Sequence, residues 1–383
     1  MNLERYSNQN QIGDVMKRTL ILSASAVLLA CMTATAFADG DIVAQAKAYT
    51  ANVTRSSLPW TGPTTGPAAQ HGKTIVFVSA DQRDSGPRGV AQAVQQAAKT
   101  IGWNYRLIDG QGSISGRSAA LNQAIALKPD GIVLGSVDAR EQAALIQQAA
   151  SRGIKVVSWH SLPKPGPAAQ YGIFTNLATD PLEVAKAAVM YVIATSNGRA
   201  GVVIFTDSTY EIATAKADAM AALVKQCTGC QLLKVEDTPL SDTATRIPQL
   251  SATLLQRYGA KWTWALTIND MPFDFMSPTL QQAGYKGTGP LLGVSAGNGS
   301  ESAFQRIRDH DYQAATVAEP VSQQGWQAVD ELNRAFSGAP ASGYAAPVHL
   351  VTGANIASDG GKENVYDPDN HYRDVYRHIW KIQ

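Results

Sequence analysis

The most informative feature of this chain is a regular alternation of short apolar runs with amphipathic stretches, which begins at Lys73. "TIVFVS" at 74–79 is an apolar run of strand length, and Val90, Val94 and Ile101 then recur at helical spacing. Further strand candidates begin at 105, 131, 155, 201, 232, 262, 290 and 314, mostly separated by helical stretches. Buried strands that alternate with helices predict doubly wound parallel sheets. The strands form two groups, before and after about residue 178, so we expect two similar α/β lobes.

Residues 1–38 have the layout of an export signal. "MKR", starting at Met16, precedes an apolar run that ends in "AFA" at 36–38. A basic start, an apolar stretch and a small-x-small end are typical of a secretory signal peptide, and Met16 is then the expected start. Two alternatives are a lipoprotein acylated at Cys31 and a membrane anchor, for which the run is short of the ~20 residues that a span needs. We therefore expect a mature protein exported to the periplasm.

Composition and charge exclude several classes of protein. The 383 residues are 45% hydrophobic, enough for a large core, and the net charge of +1 comes without a basic block, which argues against nucleic acid as a partner.

"QCTGCQ" holds Cys227 and Cys230, and in an oxidising compartment this pair predicts a small disulfide. A zinc site would need two more ligands, and a redox role would suit a helix start better. The tail's "DPDN" lacks the complete spacing of a calcium loop, so we expect no metal and no cofactor.

Polar residues cluster where the predicted strands end, and in doubly wound sheets ligands bind beyond the carboxyl ends of strands. In "WALTINDMPFDF", at 264–275, Asn269 and Asp270 lie at such an end, just before a predicted helix. Both residue types are also favoured as N-caps; we assign the cap to Asp270 and a ligand contact to Asn269. The other strand-end candidates are Asp81, Gln82, Arg83, Asp138, Trp159, His160, Asp207, Ser295, Asn298 and Glu319. Short polar groups beside an aromatic ring favour a hydroxyl-rich small molecule.

From about Lys73 to Thr352 the chain resembles the periplasmic sugar-binding proteins of the ribose-binding type, which serve ABC importers. The matching segments are "IND" with its helix and "QQAG", "LLGVSAG", "ATVAEPVSQQGWQAVDEL", and "KPDGIVLGSVD" followed by "GIKVVSWH". The resemblance implies a type 1 periplasmic binding protein, whose lobes are joined by a hinge of three crossings, here near 175–178, 318–321 and 348–352. The N-terminal lobe would comprise 73–176 and 320–348, and the C-terminal lobe 177–319 and 349–383, with the tail. Residues 39–72 would be a lead-in, with a short helix at 41–50.

The resemblance also carries over site residues, with departures. The family's ligand-binding Asn falls on Asn269, its usual Gln on Glu319, the Asp of its second lobe on Ser295, its Asp-Arg pair on His160 and Ser161, and its Arg on Lys216. The loop "ADQRDSG" lacks the family's paired aromatics. These departures imply a ligand other than simple ribose or galactose, such as a different sugar, a polyol or a modified sugar.

The function implied by the resemblance is solute binding by a monomer that passes a sugar or polyol to an ABC permease in the inner membrane. Partnership with a chemoreceptor or sensor kinase is an alternative that the sequence leaves open. An enzyme would have to use His160, Asp81 and Ser295, but the chain has no G-x-S-x-G elbow, metal motif or phosphate-binding Gly loop. We therefore expect a binding protein and no catalysis.

Overall fold

Two six-stranded sheets organise the part of the chain that the computed structural model describes, residues 41–56 and 59–382. The expectations for residues 1–38, including acylation of Cys31, lie outside these residues. Within the described ranges, none of the helices is long and apolar enough to cross a membrane.

The sheet of the N-terminal lobe has the order β2-β1-β3-β4-β6-β5. Its strands are β1 (Thr74–Ser79), β2 (Asn104–Asp109), β3 (Gly131–Gly135), β4 (Lys155–Trp159), β5 (Gly166–Ala168) and β6 (Ile173–Leu177). All pairings are parallel except that of β5 with β6. The short β5 and β6 were not among the strand candidates.

The sheet of the C-terminal lobe has the order β12-β11-β10-β9-β7-β8. Its strands are β7 (Gly201–Thr206), β8 (Gln231–Asp237), β9 (Trp264–Thr267), β10 (Leu292–Ser295), β11 (Gln313–Ala318) and β12 (His349–Thr352). Here β12 is antiparallel to β11 and the other pairings are parallel. The prediction of two doubly wound α/β lobes is confirmed.

Helices cover the two sheets and complete the cores. They are α1 (41–53), α2 (Ser85–Ile101), α3 (Ile114–Ala126), α4 (Ala143–Ser151), α5 (Pro181–Thr195), α6 (Glu211–Gln226), α7 (Thr243–Tyr258), α8 (Met271–Gln282), α9 (Glu301–Asp309), α10 (Val321–Ser337), α11 (Ile356–Asp359) and α12 (Tyr372–Trp380). Helix α2 buries Val90, Val94 and Ile101, the residues whose spacing predicted it, and Gly102 ends it in the left-handed conformation at φ 81°.

The chain passes between the lobes at three places. It leaves the N-terminal lobe between β6 and α5, returns between β11 and α10, and leaves again between α10 and β12. Helix α5 packs on β9, β10, β11 and β12, whereas α10 packs on α2, β4 and β6. Three crossings side by side allow a hinge in which each lobe keeps its own core.

Both ends of the described chain also bridge the lobes. Helix α1 lies on the C-terminal lobe, where Tyr49 donates to Glu183 at 2.8 Å, while Gln70 of the segment after it binds Asn333 of α10 at 2.9 Å. The tail also contacts both lobes. Its elements β12 and α11 belong to the C-terminal lobe, whereas α12 packs on α10 of the N-terminal lobe. This differs from the expected division, which placed all of 349–383 in the C-terminal lobe. The physical reason is that α12 buries its aromatic face against Trp326 of the N-terminal lobe.

Cys227 and Cys230 are joined by a disulfide in the turn between α6 and β8, with Cα atoms 5.2 Å apart. The turn lies where α6 ends, away from the carboxyl ends of the strands. Among the described residues, no group of three or more His, Cys, Asp or Glu side chains is placed to hold a metal ion.

Candidate functional site

A cleft between the two lobes brings polar side chains of both into one place. Its polar wall comprises Asp81, Asp84, Ser136 and His160 of the N-terminal lobe, and Tyr210, Lys216, Asn269 and Asn298 of the C-terminal lobe. Its apolar wall comprises Ala80, Pro87, Ile212, Ala213, Leu240, Ile268 and Met271. The parallel sheets explain this convergence, since most of these residues follow the carboxyl ends of β1, β3, β4, β7, β9 and β10.

Two cleft residues directly after parallel strands adopt an unusual backbone. Ser136 after β3 has φ 58° and His160 after β4 has φ 56°, in the left-handed region that residues other than glycine rarely adopt. The Ser136 N–H donates to the Trp159 carbonyl, and the His160 N–H to the Leu177 carbonyl. These bonds continue the strand ladder and hold the backbone where the side chains enter the cleft.

Asn269 lies at the cleft with one of its two hydrogen-bonding groups unused. Its Nδ2 is 3.4 Å from Oδ2 of Asp84 in the other lobe, and its Oδ1 has no partner among the described residues. The residue is 5% exposed. An unmet buried polar group costs about 1–3 kcal/mol, so a ligand that donates to Oδ1 would be favoured here. This position agrees with the expected ligand contact, which stays a prediction.

Asp270 occupies the N-cap position of α8, as predicted, but its side chain makes no capping hydrogen bond. Its Oδ2 accepts hydrogen bonds from the N–H groups of Gly299 and Ser300, both at 2.9 Å, and its Oδ1 accepts from Gln313 and Thr316. The fully buried carboxylate therefore ties the loop between β10 and α9 to β11. Burial raises the pKa of Asp270, and these hydrogen bonds oppose that rise.

His160 and Glu319 form a buried pair at the back of the cleft. Nε2 of His160 is 2.9 Å from Oε2 of Glu319, which also accepts from the Thr179 N–H and from Gln324. Burial lowers the pKa of His160, so the neutral imidazole donates to the carboxylate. Burial alone would raise the pKa of Glu319, but the hydrogen bonds from His160 and Gln324 and the charge of Lys216 lower it below its usual value. Glu319 is thus ionised, and its Oε1 has no partner among the described residues.

Lys216 brings the positive charge into this region from α6. Its Nζ donates to the Ala296 carbonyl at 2.8 Å. Burial lowers its pKa, while the carboxylates of Glu319, Asp84 and Asp270 oppose the change. Gly297 lies beside it with φ 141°, a backbone conformation that favours glycine.

Asp84 is a cleft residue that the sequence analysis missed. Its carboxylate caps α2 by accepting from the Gly86 N–H at 3.1 Å, and it also lines the cleft. Burial raises the pKa of Asp84 to about 6, helped by the nearby charges of Asp81 and Asp270. The signal was present in "ADQRDSG", but a helix cap is such a common role for Asp that a second role at the cleft was not considered. Tyr210 was missed as well, since it lies four residues beyond β7.

Asp138, an expected ligand contact, joins the lobes instead of lining the cleft. Its Oδ2 accepts from the N–H of Glu211, the first residue of α6, at 2.8 Å, and Arg140 pairs with the Glu211 carboxylate at 2.9 Å. Nearby, Arg117 donates to the hydroxyl of Tyr210 at 2.9 Å. These contacts from the N-terminal lobe to α6 describe a closed arrangement of the lobes.

Four further expected contacts, Gln82, Arg83, Trp159 and Ser295, lie off the cleft wall. The side chain of Gln82 donates to the Ser79 hydroxyl, and that of Arg83 donates to the Asp81 carboxylate. The Trp159 ring donates to the Gln324 side chain, and the Ser295 hydroxyl donates to the Gly297 carbonyl. The structure therefore brings expected residues together on the wall, with Glu319 directly behind His160; those on the wall are Asp81, His160, Lys216, Asn269 and Asn298.

This architecture, two α/β lobes with a polar cleft between them, is that of a protein that holds a small solute. Residues 75–340 match the family model described as "Periplasmic binding protein domain", and the chain belongs to this family.

The individual relatives have low sequence identity to this chain. The chain is 25% identical over 187 residues to the ABC transporter periplasmic-binding protein YphF of Escherichia coli (strain K12), a match that covers 45% of this chain and 57% of that relative. The aligned region thus spans little more than half of the relative's length.

Solved structures agree on the fold. A sugar ABC transporter structure from Yersinia enterocolitica subsp. enterocolitica 8081 superposes with a TM-score of 0.68 at 17% identity, covering 83% of this chain and 98% of that one. The binding component of an arabinose ABC transporter from Shewanella sp. ANA-3 superposes with a TM-score of 0.67 at 17% identity, covering 79% and 97%. At such identities the likeness shows the fold alone.

Proposed function

We propose that this protein is an extracytoplasmic solute-binding protein that encloses a sugar or polyol between its lobes and delivers it to an ABC importer. The observation that carries the proposal is the buried, unmet acceptor on the cleft wall, Oδ1 of Asn269. Asn269 belongs to the C-terminal lobe and lies beside Asp84 of the N-terminal lobe, so a ligand that binds both residues also links the lobes.

A hydroxyl-rich ligand suits the mixture of groups on the wall. Asn269 offers both a donor and an acceptor, Lys216 offers donors, and Asp81 and Asp84 offer acceptors. Sugar hydroxyls donate and accept at once, and the apolar wall can cover the C–H face of a sugar ring. The names of the relatives, an ABC transporter periplasmic-binding protein and sugar ABC transporter components, agree with this class of ligand.

Delivery to an importer follows from the closed arrangement and from the expected export signal. Contacts between Asp138 and Glu211, and between Arg117 and Tyr210, join the lobes beside the cleft. A permease in the inner membrane can distinguish such a closed form from an open one by the relative position of the two lobe surfaces. We expect a periplasmic monomer to act in this way, without chemical change of its ligand.

The test is a thermal-shift screen of the mature chain against pentoses, hexoses and polyols, followed by calorimetry on each hit. A ligand of the folded state adds about 4 kcal/mol of stability at a thousandfold excess over Kd. Asn269→Ala, which removes a wall residue, should lose roughly a third to two thirds of that stabilisation, while Gln82→Ala, which lies off the wall, should keep it. If no sugar or polyol raises the melting temperature, the proposal is wrong.

A further inference from the structure

The carboxylates at the cleft outnumber the cations that pair with them. Asp81 is neutralised by Arg83, whose Nη2 lies 2.6 Å from Oδ2 of the carboxylate. Lys216 and Glu319 face each other as opposite charges, and each shifts the pKa of the other towards the ionised form. The remaining carboxylate on the cleft wall is Asp84.

Asp84 has no cationic partner within ion-pair distance among the described residues. Its hydrogen bonds come from neutral groups, the Gly86 N–H and, at 3.4 Å, the Asn269 amide. The nearest cation in its own helix, Arg88, is directed to the carbonyls of Gln82 and Arg83. An anion in a closing cleft is costly unless a cation or strong donors compensate it.

The unmet group beside Asp84 is an acceptor as well. Oδ1 of Asn269, in the side chain whose Nδ2 contacts Asp84, has no hydrogen-bond donor among the described residues. Within the described part of the chain, the carboxylate of Asp84 thus has no ion-pair partner, although the charges of Arg88 and Lys216 act on it from farther away, and Oδ1 of Asn269 has no donor. A protonated amine supplies both, because an ammonium group carries a positive charge and three donors.

We propose that the cleft selects a sugar or polyol that carries a protonated amino group, with the ammonium bound by Asp84 and the Oδ1 of Asn269. The inference rests on the proposed function, since it names the chemical class of the ligand at the same cleft. Hydroxyls of the ring take the other positions on the wall, including Lys216. Acidic sugars are excluded, because they would place a second negative charge beside Asp84.

The experiment compares matched sugars that differ at one position, by calorimetry on the mature chain at pH 7 and low salt. The pairs are glucosamine and glucose, galactosamine and galactose, and mannosamine and mannose, with glucuronate as the anionic probe. A charge-assisted hydrogen bond corresponds to an affinity about ten- to hundredfold higher for the amine in the pair that binds.

Two variants test whether Asp84 causes the preference for the amino sugar. Asp84→Asn keeps an N-cap of equal quality for α2 and should remove the preference for the amine, so that an amino sugar and its neutral partner bind with equal affinity. Asp81→Asn is the matched control, because it removes a wall carboxylate that already has Arg83 as its partner, and it should keep the preference. The comparison of sugars on the unmodified chain stands even where a variant fails to fold.

The outcomes separate the two proposals. A neutral sugar that binds as tightly as its amino partner, or binding of glucuronate, overturns this inference and leaves the proposed sugar-binding function standing. A preference for the amine that survives Asp84→Asn overturns the assignment to Asp84. Failure of every sugar and polyol to bind overturns both proposals.

Discussion

Replacing Asp270 with Asn distinguishes two possible roles of this side chain, a cap of α8 and a buried bridge between β11 and the loop before α9. Asn and Asp are equally good N-caps, so a capping role for Asp270 predicts almost no change in stability. In the structure the carboxylate instead accepts four hydrogen bonds, two from backbone N–H groups and two from the side chains of Gln313 and Thr316. An amide has one oxygen and one NH2, so it cannot accept all four.

The size of the effect depends on the orientation of the new amide. With its oxygen towards Gly299 and Ser300, its NH2 meets the NH2 of Gln313, which cannot flip because its oxygen accepts from Arg306 at 2.9 Å. In the opposite orientation both backbone N–H groups lose their acceptor. Each unmet donor costs about 1–3 kcal/mol, and relief of the carboxylate's desolvation offsets part of the loss. We therefore expect a net destabilisation of about 1–3 kcal/mol.

The measurement is calorimetric melting of the ligand-free protein at neutral pH. For a domain of this size class each kcal/mol lowers Tm by about 2–4 °C, so Asp270→Asn should melt several degrees below wild type. Asn269→Ala is the matched control from the adjacent position, and it should melt close to wild type because its amide makes only one long contact. Equal melting temperatures of Asp270→Asn and wild type would refute the bridge.

Four further outcomes are expected. Thiol titration of the unfolded, unreduced protein should find no free thiol from Cys227 and Cys230, and two reactive thiols would contradict the disulfide. For any sugar that binds, Asn269→Ala should weaken binding roughly tenfold to a hundredfold, and unchanged affinity would remove this residue from the site. Saturating ligand should lower the radius of gyration in X-ray scattering, whereas an unchanged radius would argue against closure. The folded-state pKa of Asp84, about 6, lies above the value of an unfolded Asp, so Asp84 lowers stability above pH 6 and that loss disappears as pH falls to about 4. Asp84→Asn should therefore melt higher than wild type at pH 8 and not at pH 4, and a constant difference between them would contradict this sign.

The layout of the two sheets could be predicted because long apolar runs and their spacing are properties of the sequence itself. β1 and β3, for example, are buried along almost their whole length, and a continuous apolar run of that length favours a parallel strand. The short strand β5, Gly166–Ala168, could not be found, because "GPA" has neither the length nor the residue types of a strand. It exists because β6 offers it an open edge.

The site could be predicted only in part, because a strand end places a residue near the cleft but does not fix what its side chain binds. Asn269 and Asp270 are neighbours in sequence and are both buried, yet one lines the cleft and the other bridges β11 and a loop. Asp138 likewise follows a strand, but its partner is a backbone N–H of the other lobe, 73 residues away in sequence. Such pairings depend on how the lobes meet, which no local pattern contains.

Where the lead-in and the tail pack could not be predicted from the sequence either, and their contacts restrict the motion of the hinge. α12 has a clear helical pattern, but periodicity alone cannot say that its aromatic face covers Trp326 of the N-terminal lobe. Trp60, which follows α1, packs against Tyr344 and Tyr376, so the lead-in and the tail meet behind the crossings. Each of these segments contacts both lobes, so the lobes are held by contacts outside the three crossings. An opening motion must therefore either bend these segments together with the hinge or break their contacts, which limits how far the cleft can open without the loss of buried aromatic surface.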